Sequence, residues 1–305
     1  MLTQIALFVT GLAVLVVGAQ RAVSAAGDLA LYYGLSKLFV GVTVISVGTS
    51  IPEMTTSVYA ARYGAGDLLV GNIVGSETAQ ITLAIGIVAL IAPIVADRRN
   101  VMVYGGAMVL SMVIMLLVVE DGELIRSEGF LMMLSYVFFV YTMYTNEGGE
   151  EITEEVQERE PPGRTVPWIL LGLGLVVVGG HVMVTSGVEI ARIAGIPEHV
   201  VGLLTGLGTT APEIVVAGIA ARGGEEGISV GALLGSNITD PVFSLGLGPL
   251  LFDVSLSSPD AVLASAQYML AVSLVVLGLF YWRRGIDRRL AVLCLLLYVP
   301  SFFVG

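Results

Sequence analysis

The stretch GTSIPE, residues 48–53, recurs 160 residues later in the chain as GTTAPE, residues 208–213. At the same offset, GNIVGS (71–76) is matched by GALLGS (231–236). Agreement at this many positions indicates that the chain is built from two copies of one structural unit. Each copy carries a Pro-Glu pair in an otherwise apolar segment. The repeat therefore guides both the prediction of the fold and the search for a functional site.

The composition is that of an integral membrane protein. Hydrophobic residues make up 56% of the 305 residues, charged residues make up 13%, and the mean hydropathy is +0.91. A soluble domain carries about 25% charged residues, so this chain lacks the polar surface that a soluble enzyme needs. The net charge of −11 argues against nucleic acid as a partner. A membrane span needs about 20 apolar residues, and ten segments qualify: 2–20, 38–63, 68–92, 101–119, 128–145, 166–187, 199–221, 228–252, 260–282 and 289–304.

One long polar insert, 146–165, divides these segments into five and five. It is rich in Glu and contains a Pro-Pro-Gly run, which is typical of a solvated linker. Because each half holds an odd number of spans, the second half enters the membrane with the opposite orientation. The prediction is an all-α integral membrane protein of ten transmembrane helices, in two inverted-topology five-helix repeats over 1–145 and 166–305. Secondary transporters are often built in this way, with their sites near the bilayer midplane where the repeats meet.

The distribution of basic residues predicts the orientation, because cytoplasmic loops of membrane proteins are enriched in Lys and Arg. With the N-terminus outside, eleven of the 14 basic residues fall in inside loops. Both termini are therefore predicted to lie outside the cell and the 146–165 linker in the cytoplasm, in a multi-pass protein of the cell membrane. The outside loops hold only Arg62, Arg126 and Arg192.

The two Pro-Glu pairs are the first candidates for a site. An ionised carboxylate in hydrocarbon costs several kcal/mol, so Glu53 and Glu213 are expected to face a cavity or a partner. The proline before each glutamate interrupts the helical hydrogen bonds. Backbone carbonyls around 46–49 and 206–209 are then available as ligands. In helical geometry Thr49 and Ser50 share the face of Glu53, and the same spacing relates Thr209 and Thr210 to Glu213.

The neighbouring segments add further oxygen atoms. Ser76 and Gln80 are spaced i, i+4 on one helix face, and Ser236 and Asp240 repeat that spacing in the second half. The resulting set contains carboxylates, an amide and hydroxyls, without His or Cys. Ligands of this kind suit hard cations such as Ca²⁺ and Na⁺ rather than zinc or copper.

The paired motifs resemble the two α-repeats of the calcium/cation antiporter superfamily, in particular those of prokaryotic members of the Na⁺/Ca²⁺ exchanger branch. The resemblance covers nearly the whole chain. It implies ten helices, with helices 2, 3, 7 and 8 forming the ion-binding core and helices 1 and 6 sliding across it. It also implies transported Ca²⁺ and Na⁺, and no cofactor.

Carried over position by position, the resemblance implies that Glu53 and Glu213 are the central Ca²⁺ ligands. The resemblance also implies that the remaining positions form the Na⁺ sites, with their backbone oxygens, and the middle of the site. These positions are Thr49, Ser50, Ser76, Thr209, Thr210, Ser236, Ser46, Gly206, Gln80 and Asp240. This chain departs from the family pattern in two places. Gln80 replaces an expected Asn, and Glu77 stands where the second half has Asn237.

The predicted function is exchange of Na⁺ for Ca²⁺ by alternating access, in the direction of Ca²⁺ export, by a protein that is not an enzyme and is expected to be monomeric in the lipid bilayer. K⁺-dependent or proton-coupled Ca²⁺ exchange is the alternative within the same class. A cation channel could use the same oxygens, but an inverted repeat favours a transporter. An intramembrane protease needs a pair of aspartates or a Ser–His pair. This function is disfavoured because Asp240 is the single aspartate well inside a predicted span. Glu77 is predicted to add a fourth acid and with it a dependence of transport on pH.

Overall fold

A computed structural model describes residues 1–95, 97–146, 162–194 and 210–304. The described chain is helical, with two short two-stranded ribbons. We number the helices α1 Leu2–Tyr33, α2 Lys37–Thr49, α3 Ile51–Arg62, α4 Gly66–Ile91, α5 Arg98–Val119, α6 Arg126–Asn146, α7 Pro162–Ile193, α8 Ala211–Arg222, α9 (226–251), α10 Pro259–Arg283 and α11 Arg288–Tyr298. The strands are β1 Ile94–Val95, β2 Glu123–Leu124, β3 Val254–Ser255 and β4 Gly285–Ile286.

Several helices are long and apolar enough to cross a membrane. Within the described residues there are five of them, and a sixth if α2 and α3 are taken together as one broken span. The five are α1, α4, α5, α7 and α10. The chain is therefore a helical membrane protein, while the division into ten spans stays a prediction. Part of the predicted segment 199–221 lies outside the described residues, as does most of the acidic linker.

Some predicted segment boundaries are wrong. α1 continues to Tyr33 rather than ending near residue 20, and α7 continues to Ile193 rather than 187. The apolar stretch ends earlier than the helix because the last turns of α1 are rich in Ala, which favours helix without adding much hydropathy. α1 ends at Gly34, whose φ of 65° is a left-handed conformation that glycine adopts without strain.

The two halves share their secondary structure as well as their motifs. α4 contains a π-helical turn at Gln80–Ala84, and α9 contains one at Asp240–Ser244, 160 residues later. β1 recurs as β3 at the same offset, and β2 recurs as β4 at an offset of 162. The ribbons exchange partners between the halves, since β1 pairs with β4 and β2 with β3. The repeat read from the sequence is thus present in the structure, element by element, in the described residues.

The chain forms two compact units, and each takes residues from both sides of the acidic linker. The first unit comprises Met1–Thr49 and Gly149–Ala232. Its centre is the pair α1 and α7, which pack along each other in antiparallel fashion. Glycines bring the two backbones together. A Cβ atom on Gly18 would lie 2.7 Å from the carbonyl oxygen of Gly172, and one on Gly179 would lie 2.5 Å from the backbone N of Leu15. Small residues at helix interfaces permit such close packing in membranes.

The second unit comprises Ser50–Gly148 and Leu233–Gly305. In it, the end of α9 packs against α3 and α6, while α11 packs against the end of α4, and α10 packs against α5. The core of this unit is apolar and includes several fully buried methionines. Among the side chains buried within it are several of the polar residues that the sequence marks as candidate ligands.

Candidate ion-binding site

The helical path is interrupted at Ser50, just before the first Pro-Glu pair. α2 ends at Thr49, and α3 begins at Ile51 with Pro52 in its first turn, where the missing N–H of proline costs no helical hydrogen bond. Ser50 and Glu53 are fully buried in the second unit. The proline therefore starts a helix, which confirms the predicted interruption. The helical spacing that was expected to place Thr49 on the face of Glu53 does not apply across this break.

The first unit holds the matching glutamate. α8 begins at Ala211 with Pro212 in its first turn, and Thr210 and Glu213 are fully buried. On α2 in the same unit, Ser46 and Thr49 are also fully buried, and the Thr49 hydroxyl donates a hydrogen bond of 3.1 Å to the Ser46 carbonyl. The Ser46 carbonyl, a predicted ligand, thus points toward a polar neighbour. Gly206 and Thr209 lie outside the described residues.

The second unit brings Gln80 and Asp240 into direct contact. The Gln80 Nε2 atom donates to Asp240 Oδ2 at 3.2 Å, and the Ser244 hydroxyl donates to Asp240 Oδ1 at 2.7 Å. Asn237 Nδ2 donates to Gln80 Oε1 at 3.0 Å and to the Leu233 carbonyl at 2.8 Å. The Ser50 hydroxyl also approaches the Asp240 carboxylate. Both ends of the Gln80 amide are therefore engaged, and the Asp240 carboxylate is held in a fixed orientation.

Gln80 and Asp240 each begin a π-helical turn. Such turns widen the helix by one residue and occur frequently at functional sites. Of the other predicted ligands in this unit, Ser76 and Ser236 are buried, and the Ser76 hydroxyl donates to the Ile73 carbonyl at 3.0 Å. Glu77, one residue after Ser76, is fully buried as well.

Residues that the sequence did not single out support this network. Ser111 of α5 donates to the Asn237 carbonyl at 3.2 Å and to the Met108 carbonyl at 2.7 Å. Tyr136 of α6 lies beside Thr239 and packs on Phe243, with ring centroids 5.0 Å apart. Ser244 could have been found from its i, i+4 spacing to Asp240. A lone serine or tyrosine in an apolar span gives no comparable signal.

The described residues bury acidic side chains but no basic ones. The buried acids of the described chain are Glu53, Glu77, Glu213 and Asp240, and none of its Lys, Arg or His side chains is buried. A buried charge is stable only when a partner or a cation compensates it. Within the same residues, no group of three or more His, Cys, Asp or Glu side chains is close enough to hold a metal.

The comparison with known proteins agrees with this chemistry. The chain matches the family described as sodium/calcium exchanger protein over residues 3–145 and 165–304. It is 33% identical to the inner membrane protein YrbG of Escherichia coli, over 93% of this chain and 90% of YrbG. It is 28% identical to the sodium/calcium exchanger MaX1 of Methanosarcina acetivorans, over 96% of each protein.

A solved structure of the sodium-calcium exchanger NCX_Mj, soaked with Na⁺ and Sr²⁺, is similar over 99% of this chain and 98% of that chain, with a TM-score of 0.83 and 27% sequence identity. Sodium/calcium exchangers are antiporters that transport these two ions and need no cofactor. Both the sequence match and the structural match extend over nearly the full length. The chain belongs to the sodium/calcium exchanger protein family.

Proposed function

We propose that this protein exchanges Na⁺ for Ca²⁺ across the cell membrane by alternating access and that it exports Ca²⁺. The observation that carries the proposal is the set of four buried carboxylates in a chain without a buried basic side chain among its described residues. Bound cations would compensate the charge of these carboxylates. Its membership of the exchanger family indicates which cations they are.

Competition for the same carboxylates couples the two fluxes. Ca²⁺ or several Na⁺ ions can neutralise Glu53, Glu213 and Asp240, but both sets together would overcompensate the charge. An empty, charged site resists passage through the low-dielectric bilayer, whereas an occupied and neutral one does not. Under a negative-inside potential, one net charge moved across the membrane is worth about 2.3 kcal/mol per 100 mV. If more positive charge enters with Na⁺ than leaves with Ca²⁺, the membrane potential would then drive Ca²⁺ out of the cell.

The ligands are assigned by repeat. Glu53 and Glu213 bind Ca²⁺ at the centre, and Gln80 with Asp240 completes the middle of the site. The hydroxyls of Thr49, Ser50 and Ser76 serve one Na⁺ site, and those of Thr209, Thr210 and Ser236 serve its counterpart, with backbone oxygens of Ser46 and Gly206. The hydrogen bonds of Gln80 to Asp240 and Asn237 support a middle position for this residue.

We further propose the arrangement in the membrane. Ten spans form two inverted repeats, 1–145 and 166–305, joined by the cytoplasmic linker 146–165, with both termini outside. Close backbone packing between α1 and α7 supports the proposal that these two helices move together across the core. The protein is expected to work as a monomer.

Competition between the two ions is measurable on the purified protein. We expect Na⁺ to weaken the binding of radioactive Ca²⁺ steeply, with the apparent dissociation constant rising faster than in proportion to the Na⁺ concentration, because several Na⁺ ions displace one Ca²⁺. Choline chloride at equal ionic strength is the control and should have little effect. If Na⁺ displaces Ca²⁺ no better than choline does, the two ions do not share a site and the proposed coupling is wrong.

A further inference from the structure

One proline of the second repeat lies inside a helix, beside the candidate site. Pro241 follows Asp240 in the π-helical turn of α9 and is buried. In an α-helix the carbonyl of residue i accepts from the N–H of residue i+4, and proline has no N–H. The regular donor for the Asn237 carbonyl is therefore missing, because the π-helical turn itself begins only at Asp240. A buried carbonyl without its helical donor needs a donor from elsewhere.

Ser111 of α5 provides a donor for this carbonyl. Its side chain is fully buried, and its hydroxyl lies 3.2 Å from the Asn237 carbonyl oxygen. The same hydroxyl lies 2.7 Å from the Met108 carbonyl oxygen, and a serine has one hydrogen to donate. The Met108 carbonyl has the N–H of Met112 as its regular donor within α5. The Asn237 carbonyl is thus the acceptor for which the hydroxyl replaces a missing hydrogen bond.

The first repeat provides a comparison, because it has no proline at the equivalent position. Position 241 corresponds to Ile81 at the offset of 160, and Ile81 has a backbone N–H. Ser111 corresponds to Ser273 at the offset of 162 that relates β2 and β4, the strands after α5 and α10. The Ser273 hydroxyl is also fully buried and donates to the Met269 carbonyl of its own helix at 2.7 Å. Among the described residues, the serine bond to a neighbouring helix is seen in the repeat that has the proline.

The segment that Ser111 contacts carries side chains of the candidate site. Asn237 Nδ2 donates to Gln80 Oε1 at 3.0 Å, and Gln80 Nε2 donates to Asp240 Oδ2 at 3.2 Å. A shift of the α9 backbone at Asn237 would therefore move the Gln80 amide, which is a partner of the Asp240 carboxylate. α5 corresponds to the fourth predicted span, which the family resemblance does not assign to the ion-binding core. Its influence on the site would pass through the backbone of α9.

We propose that Ser111 is a positioning residue of the ion-binding site and that its hydroxyl replaces the hydrogen bond that Pro241 removes. It thereby keeps the α9 backbone at Asn237 in place, together with the Gln80 amide that Asn237 holds. The inference rests on the proposed function in that it takes Gln80 and Asp240 to belong to the site. Because Ser111 acts through the backbone and not as a ligand, its loss should weaken ion binding only while Pro241 is present.

A double-mutant cycle on the purified full-length protein tests this role, with the dissociation constant of radioactive Ca²⁺ and the melting temperature as readouts. We expect Ser111→Ala to weaken Ca²⁺ binding about three- to tenfold, because it leaves a buried carbonyl without a donor. The melting temperature should fall by about 2–4 °C. In a Pro241→Ala background, which restores an N–H at position 241, Ser111→Ala should change the dissociation constant by less than about twofold.

Ser273→Ala is the matched control, because it removes the equivalent buried hydroxyl of the other repeat. It should leave the Ca²⁺ affinity unchanged within about twofold in either background. A loss of affinity in Ser273→Ala as large as that in Ser111→Ala would overturn the proposal. If Ser111→Ala cannot be purified, Ser111→Cys takes its place in both backgrounds, since a thiol is similar in size and a weaker donor.

The outcomes of the cycle separate the possibilities. A loss of affinity in Ser111→Ala that Pro241→Ala removes supports the proposal. An equal loss in both backgrounds would show that the hydroxyl does not act through the missing N–H, which overturns it. Unchanged Ca²⁺ affinity in Ser111→Ala, with or without a lower melting temperature, would leave Ser111 at most a role in stability and also overturns it. Failure of the exchange proposal would appear instead as Ca²⁺ binding to the unmodified protein that is indifferent to Na⁺.

Discussion

Replacing Glu53 or Glu213 with Gln is expected to abolish Na⁺-driven Ca²⁺ uptake while the protein still folds in the membrane. Each change keeps the size of the side chain and removes one charged ligand from a fully buried position. Loss of one partner of a buried charge pair costs about 3 kcal/mol, and each 1.4 kcal/mol is tenfold in affinity, so uptake at low Ca²⁺ should fall at least about 100-fold. Uptake into reconstituted vesicles measures the effect.

Glu120→Gln is the control for these variants, because this glutamate is exposed. It should transport as the unmodified protein does. Similar elution of all variants in size-exclusion chromatography would show that the loss is one of ion binding and not of folding. Near-normal uptake by Glu53→Gln or Glu213→Gln would refute the assignment of the central ligands.

Replacing Gly179 with Val is expected to separate α1 from α7 and to prevent stable folding. A Cβ atom at this position would lie 2.5 Å from the Leu15 backbone N and 2.8 Å from the Gly11 carbonyl oxygen, and these backbone atoms cannot move aside as a side chain can. Overpacking in a core costs about 1–3 kcal/mol, and contact with a neighbouring backbone belongs at the upper end of that range or above it. The yield of monodisperse protein and its melting temperature measure the effect.

The same helix provides a matched control. Gly174 has no atom within 4 Å of its Cβ position, so Gly174→Val should fold and melt like the unmodified protein. Gly179→Ala should lie between the two valine variants. Equal stability of Gly179→Val and Gly174→Val would show that close packing of α1 and α7 is not required.

Much of the fold was predictable because membrane proteins follow a simple pattern in sequence. The apolar segments and the offset of 160 gave the helices and the correspondence of the repeats. The π-helical turns were not predictable, because the extra residue in such a turn does not change the pattern of apolar and polar residues along the chain. The ends of α1 and α7 were not predicted because each helix continues beyond the apolar stretch that marks it in the sequence.

For the candidate site residues, the sequence indicated burial but not the contacts that they make. Two Pro-Glu pairs in apolar segments singled out Glu53 and Glu213, and both are buried in the structure, whereas their role as ligands stays a prediction. The i, i+4 spacing put Gln80 and Asp240 on matching faces, but spacing within one helix gives no information about contact between helices. That the two residues touch follows from the relation between the repeats, which only the folded chain displays. Ser111 was recognisable only as a neighbour in that network.

The central claim, coupled exchange of Na⁺ for Ca²⁺, is tested most directly by flux in vesicles that contain the purified protein. Vesicles loaded with Na⁺ and diluted into Na⁺-free medium should take up radioactive Ca²⁺ rapidly. Vesicles with Na⁺ at equal concentration on both sides should take up little, and a proton gradient or a K⁺ gradient should not replace the Na⁺ gradient. Ca²⁺ uptake that proceeds equally well without a Na⁺ gradient, or that only a proton gradient drives, would contradict the account.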